Sequence, residues 1–125
     1  MAYEMSVAIH DDHIHVTLVG EDTLAAVKEY WSKIAQMLYD NPQSKLLMEE
    51  HLEGRMPDRD IHAWSEFMRE LGIPPGTKIA FSYLEERASE YRFAETLLIN
   101  RGFVTKIFPT VNDARAWLLD TESVP

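Results

Sequence analysis

The segment Lys45–Asp60 constrains the fold of this chain more than any other. It has three consecutive apolar residues and a fourth further on, a pattern typical of a strand that is covered on both faces within a parallel sheet. The chain then breaks at Gly54, and Pro57 fits the first turn of a helix, where its fixed φ and missing N–H cost little. The segment therefore predicts a central strand and the start of a crossover helix. Its apolar strand residues are Leu46, Leu47, Met48 and Leu52.

The rest of the chain alternates between strand and helix patterns. Residues 4–10 and 13–19 alternate apolar and polar side chains around Asp11-Asp12, which predicts a hairpin. Helix patterns follow Thr23, Pro57, Glu85 and Thr110, and strand patterns occupy residues 78–84 and 103–108. This order predicts an α/β fold with a mixed, mostly parallel sheet of about five strands and four helices. We expect one domain over residues 1–125.

Charge and composition exclude several classes of function. The chain has 12 basic and 21 acidic residues and a formal charge of −9. Nucleic-acid binding needs clustered Lys and Arg to neutralise phosphates, so we do not expect it here. The apolar runs are far shorter than the roughly 20 residues that span a bilayer, so we expect no membrane span. The start of the chain lacks a secretory signal pattern and there is no cysteine, so we expect a cytoplasmic protein.

The exit of the central strand gathers charged and aromatic residues. In open α/β sheets, ligands bind at the carboxyl ends of the strands. We therefore predict a partner or ligand surface there, with Phe67 as the aromatic residue that the helical pattern leaves most open and Trp64 on the buried stripe. The residues of this candidate surface are Glu50, Glu53, Arg55, Asp58, Arg59, Asp60, Trp64 and Phe67.

Two other patterns allow an enzyme or metal interpretation. Asp58 and His62 lie four residues apart, so they share a helical face and suit a metal site or acid–base chemistry, with Glu50 or Glu53 completing the group. His10, His13 and His15 resemble metal ligands, but alternation along an exposed strand favours solvated histidines. We expect no metal, no cofactor and no catalytic residue.

A third alternative is a carrier of a lipophilic small molecule. Such a carrier needs an apolar cavity, which periodicity does not reveal. The same side chains would equally fill an ordinary core. The residues that would line it are Trp31, Trp64, Phe67, Met68 and Tyr83.

The element order, with the phrase NRGFVTKIFPTVNDARAWL at residues 100–118, resembles the STAS domain superfamily and its SpoIIAA-like group. The resemblance implies a non-enzymatic domain that binds a protein partner or a small, often lipophilic ligand, and a homodimer is possible. Regulatory members carry a phosphorylatable Ser or Thr where the helix after the central strand begins. Here residues 55–60 read RMPDRD without a hydroxyl, so we do not carry over the phosphoswitch. Asp58 resembles a phosphate in sign, although a carboxylate near a helix start is explained by the helix dipole alone.

Overall fold

The structure is a computed structural model that describes residues 3–41 and 43–120. Its five strands form one sheet in the order β1-β2-β3-β4-β5. β1 and β2 are antiparallel, and the remaining neighbours are parallel, so the predicted mixed and mostly parallel sheet is confirmed. The strands are β1 Tyr3–Ile9, β2 Ile14–Glu21, β3 Lys45–Glu53, β4 Lys78–Ser82 and β5 Val104–Phe108.

Four α-helices connect or follow the strands, which confirms the number and order expected from the sequence. A short 3₁₀ turn at Glu85–Arg87 precedes the third of them. The helices are α1 Leu24–Asp40, α2 Asp58–Glu70, α3 Ala88–Asn100 and α4 Val111–Leu119.

Local signals fix where these elements start and stop. Thr23 Oγ1 accepts a hydrogen bond from Ala26 N at the start of α1, and Thr110 Oγ1 accepts one from Asp113 N at the start of α4. Both bonds satisfy backbone donors that have no partner within the helix. The glycine after α3, Gly102, has a φ of +90°, a conformation that ends a helix without steric cost.

The two faces of the sheet are covered unequally. One face packs against α1, α2 and α3 in the main core, where Val16 and Met48 lie side by side on neighbouring strands. On the other face, α4 packs on Leu47 and Ala80 through its buried Ala114 and Leu118. Because β3 is covered from both sides, the consecutive residues Leu46, Leu47 and Met48 are all fully buried.

No helix in the described residues is long and apolar enough to cross a membrane.

Candidate functional site

The carboxyl ends of β2, β3 and β4 meet at one edge of the sheet, where the predicted surface lies. The backbone there is closed by a hydrogen bond of 2.8 Å from Asp22 N to Glu53 O, which ties the end of β2 to the end of β3. Gly54 then turns the chain with a φ of +103°, a conformation that side chains disfavour. The loop between β3 and α2 is therefore held close to the end of β2.

Most charged residues of the predicted surface do face solvent. Arg55 and Asp58 are exposed, as are Glu53 and Arg59, whereas Asp60 is half-buried. Arg59 Nε lies 3.8 Å from Asp60 Oδ1, and the exposed arginine makes this a weak ion pair. We call residues 53–60 the charged loop.

Glu50, which the sequence analysis placed on the candidate surface, does not lie on the open rim. Its side chain is only 4% exposed, because residue 50 of β3 points into the main core rather than out of the sheet edge. Tyr91 OH donates a hydrogen bond of 2.5 Å to Glu50 Oε1. Burial, with the nearby Asp22 charge adding to it, raises the pKa of Glu50 to about 8. Glu50 is therefore a neutral hydrogen-bonded acid near neutral pH.

The two aromatic residues differ in exposure, as the helical spacing predicts. Trp64 is buried on the core side of α2, while Phe67 is half-buried beside the main core. The Lys28 ammonium lies 5.7 Å from the centre of the Phe67 ring, within the range of a cation–π contact. Phe67 is therefore partly covered from the side of α1.

Sequence reasoning missed a buried charged network beneath the charged loop. Arg87, which is only 3% exposed, donates from Nη1 to Asp22 Oδ2 at 2.8 Å and to Leu52 O at 3.2 Å. Its Nη2 donates to Glu90 Oε1 at 2.8 Å. One guanidinium therefore joins the ends of β2 and β3 to the start of α3. We call Asp22, Glu50, Arg87, Glu90 and Tyr91 the buried polar cluster.

A backbone contact links this cluster to the charged loop. Met56 N–H donates to Glu90 Oε1 at 2.8 Å, and the Met56 side chain is buried although both of its neighbours, Arg55 and Pro57, are exposed. The same Glu90 oxygen accepts from Arg87. The middle of the charged loop is thus anchored from below while the flanking side chains face outward.

Opposing effects act on the pKa values of Glu90 and Arg87 within the cluster. Burial works against an ionised Glu90, but hydrogen bonds from Arg87 and from Met56 N–H lower its pKa below the ordinary value. Burial also works against the Arg87 cation, yet its bonds to Glu90 and Asp22 raise its pKa. Glu90 and Arg87 are therefore an ionised pair.

A small cavity lies between the buried polar cluster and the core, with a volume of about 50 Å³. Trp31, Trp64 and Met56 are among its apolar walls, and all members of the cluster reach it. Phe67, Met68 and Tyr83, which the carrier interpretation placed at such a cavity, do not line it. An engineered cavity of about 150 Å³ holds a benzene molecule, so this one has room for waters rather than for a lipid.

Three buried polar atoms of residues that line the cavity have no hydrogen-bond partner among the described residues. They are Asp22 Oδ1, Trp64 Nε1 and Arg87 Nε. A buried polar atom without a partner costs about 1–3 kcal/mol, so an occupant that hydrogen-bonds to these atoms would be favoured. One acceptor and two donors together call for a group that both gives and receives hydrogen bonds.

His13 and His15 are not simply solvated, contrary to the expectation from alternation, whereas His10 is exposed. His13 is buried beside the hairpin turn, and its Nδ1 lies 2.7 Å from Asp12 Oδ1. His15 Nε2 lies 2.8 Å from Glu49 Oε1, and His51 Nε2 lies 2.6 Å from Glu49 Oε2. Alternate residues of a strand point to the same face of a sheet. His15 of β2 therefore shares a face with Glu49 and His51 of β3, and the Glu49 carboxylate lies within reach of both imidazoles.

The side chains of the enzyme interpretation differ in burial, since Glu50 is buried whereas Glu53, Asp58 and His62 are exposed. Asp58 and His62 are both exposed at the start of α2, and the His62 ring makes an edge contact with Phe93 at 5.3 Å between ring centres. Within residues 3–41 and 43–120, no group of three His, Asp or Glu side chains is placed so that it could hold a metal ion.

Comparisons with known proteins reveal a likeness in structure. No protein-family model matches the chain, and no curated protein matches its sequence. Among solved structures, it is similar to the crystal structure of an anti-sigma factor antagonist from Mycobacterium paratuberculosis. The match covers 95% of this chain and 96% of that chain, with a TM-score of 0.62 and 16% sequence identity.

The chain has the fold of this anti-sigma factor antagonist. The resemblance inferred from element order and from residues 100–118 is thereby confirmed at the level of architecture. At 16% identity the likeness concerns the fold alone. A shared fold does not imply a shared function, which depends on the residues of the site.

Proposed function

We propose that this STAS-like domain is a non-enzymatic protein-interaction module that recognises its partner through the charged loop. The observation that carries the proposal is the anchoring of Met56, whose N–H is held by Glu90 while Arg55, Asp58 and Arg59 face outward. A loop whose backbone is fixed before binding loses less conformational entropy when a partner arrives. Exposed charges on such a support favour specific recognition and fast association.

The proposed partner is another protein. A solved structure with a similar fold is an anti-sigma factor antagonist, a description that implies action on a protein. The charged loop alternates acidic and basic side chains, which suits a partner surface of mixed charge rather than a polyanion. Because residues 55–60 contain no hydroxyl, we propose recognition without phosphorylation at the start of α2.

Charge reversal in the loop tests this proposal. The double variant Arg55→Glu/Arg59→Glu changes two exposed side chains, so it should leave the fold intact and abolish retention of the partner in a quantitative pull-down. The matched control reverses two exposed cations elsewhere, Lys33→Glu/Arg92→Glu, and should retain the partner. An identical set of captured proteins for the wild type and for both double variants would contradict recognition through this loop.

A second candidate function, binding of a polar molecule small enough for the cavity of about 50 Å³, is favoured by the three unpartnered polar atoms of its lining residues. Asp22 Oδ1 calls for a donor and Trp64 Nε1 for an acceptor, which a hydroxyl group provides together. Native mass spectrometry of freshly purified protein tests this, since a co-purifying mass would be absent from Trp64→Phe if the indole N–H holds the ligand. If the wild type carries no co-purifying molecule under native conditions, this second function is contradicted.

A further inference from the structure

The outer edge of β1 presents unpaired backbone groups. His10 N–H donates to His13 O at 2.9 Å, which makes residues 10 and 13 a hydrogen-bonded pair of the antiparallel ladder. Such pairs alternate with non-hydrogen-bonded pairs along two strands. The even residues of β1 therefore bond to β2, and the odd residues direct their N–H and C=O groups away from it. These odd residues are Tyr3, Met5, Val7 and Ile9.

β1 lacks the features that normally protect an edge strand. Proteins blunt such edges with lysine, proline, bulges or short strands. β1 has seven residues in unbroken register with β2 and contains neither lysine nor proline. The opposite edge, β5, has five residues and carries Lys106 at its centre. The two edges of the sheet are therefore different, and β1 is the one that is open to pairing.

Apolar exposure is concentrated at the same edge. The six large hydrophobic side chains that are exposed among the described residues include Val7, Ile9 and Val19, all of which belong to the β1–β2 hairpin. Val7 and Ile9 point to the face of the main core, because they lie opposite the buried Val16 and Ile14. Additional strand pairing at β1 would extend that apolar face beyond the limit of one copy.

Charge determines which occupant suits this edge. Two chains that each carry −9 repel one another, so they can approach closely only where charge is sparse. β1 has a single charged residue, Glu4. In an antiparallel pairing of two β1 strands centred on Ser6, Glu4 lies opposite Ala8 of the second copy and diagonal to its His10. This register therefore separates the two carboxylates and sets each near an imidazole.

We propose that β1 pairs antiparallel with β1 of a second copy of this chain, centred on Ser6, so that one sheet continues through both copies. The register aligns all seven residues, and the outward-facing odd residues meet one another as hydrogen-bonded pairs. Met5 then lies opposite Val7 of the second copy, and Tyr3 lies opposite its Ile9, on the apolar face. The dimer edge is two strands away from β3, so the charged loop stays free and the proposal is independent of the proposed function.

A single cysteine at the proposed two-fold axis tests the register, because the chain has no natural cysteine. Residues at a non-hydrogen-bonded antiparallel pair have Cα atoms about 4.5 Å apart, close enough for a disulfide. Ser6→Cys should therefore form a disulfide-linked dimer on mild oxidation. In Ala8→Cys, the two cysteines would lie four residues apart along the strands, about 14 Å, and should stay unlinked. Equal crosslinking of both variants, or crosslinking of Ala8→Cys alone, would overturn the proposed pairing.

Sedimentation of the full chain across a concentration series tests the dimer itself. Val7→Lys and Val104→Lys place the same charge on opposite edges, at residues that are 37% and 50% exposed. The wild type and Val104→Lys should sediment as dimers, and Val7→Lys as a monomer. A wild type that is monomeric at every concentration would refute self-pairing. The remaining occupant for the edge of β1 would then be a strand of another protein. A dimer lost in Val104→Lys but kept in Val7→Lys would place the interface at β5 instead.

Discussion

Arg87 Nη1 donates a hydrogen bond to Asp22 Oδ2 at 2.8 Å, although 65 residues separate the two in the chain. The pair is almost completely removed from solvent, with side chains 3% and 7% exposed. Two further bonds from the same guanidinium, to Leu52 O and Glu90 Oε1, join the ends of two strands to the start of α3. Arg87 therefore holds Glu90 in place, and Glu90 anchors the charged loop at Met56.

Removing the guanidinium should therefore destabilise the fold strongly. Breaking one partner of a buried ion pair typically costs about 3–5 kcal/mol, because the remaining charge stays buried and unpaired. We expect Arg87→Met to lower the free energy of unfolding in urea by this amount. The matched control is Arg69→Met, which removes an exposed ion pair with Glu66 and should cost less than about 1 kcal/mol. Similar losses for both variants would show that the buried pair contributes no more than a surface one.

Anchoring of the loop gives a second readout of the same network. Met56 N–H bonds to the Glu90 oxygen that also accepts from Arg87. We expect the Met56 amide of Arg87→Met to exchange with deuterated solvent faster than in the wild type, under conditions where the chain remains folded. Unchanged exchange at this amide would mean that the loop is supported without Arg87.

Glu50 should make stability fall as pH rises. Its pKa is raised from the ordinary 4.5 to about 8 by burial and by the Asp22 charge, so the folded chain keeps a proton that the unfolded chain releases. The stabilising contribution is complete below the unfolded pKa, declines from there with a slope of about 1.4 kcal/mol per pH unit, and is lost as pH passes the folded pKa.

Glu50→Gln should remove this dependence, since the amide has no proton to lose and its oxygen still accepts from Tyr91. We expect the variant to gain stability over the wild type progressively between about pH 5 and pH 8, by a few kcal/mol at the upper end. Urea unfolding at several pH values measures the slope. Glu53→Gln, at an exposed residue of the same strand, is the control. Parallel pH profiles for wild type and Glu50→Gln would contradict the raised pKa.

The cap of α4 should contribute measurably to stability. Thr110 Oγ1 accepts from Asp113 N at 3.1 Å, and loss of such a side-chain cap costs about 1 kcal/mol. Thr110→Ala should show this loss in thermal or urea unfolding, whereas Thr110→Ser keeps the oxygen and should stay within a few tenths of a kcal/mol. If serine proves as destabilising as alanine, the methyl group rather than the cap is responsible.

Packing of α4 on the second face of the sheet gives the last prediction. Leu118 is fully buried with Leu47, Ala80 and Ala114. Leu118→Ala removes buried methyl groups and leaves a cavity, which costs about 2–5 kcal/mol. Leu119 is only partly buried, and Leu119→Ala should cost clearly less in the same urea titration. Equal costs would indicate that α4 is not docked through the Ala114–Leu118 side.

The amino-acid sequence by itself determined the architecture of this chain. The apolar run of β3, the alternation of the first hairpin, and the start and stop signals at Thr23, Gly102 and Thr110 are local patterns. Each reports a backbone conformation that depends on nearby residues, so each can be read without knowing the fold. The exposed part of the charged loop was predictable for the same reason, because it follows a buried strand.

Only the tertiary structure decided what lies beneath that loop. Asp22 and Arg87 are 65 residues apart, and Glu50 and Tyr91 are 41 apart. No repeating pattern of apolar and polar residues in the sequence indicates either contact. The sequence predicted Glu50 at the exposed rim, because acidic side chains usually face water. Its burial depends on the register of β3 and on packing against α3, which lies about 40 residues later in the chain. The partners of a buried charge are set by packing between distant elements, and periodicity carries no information about them.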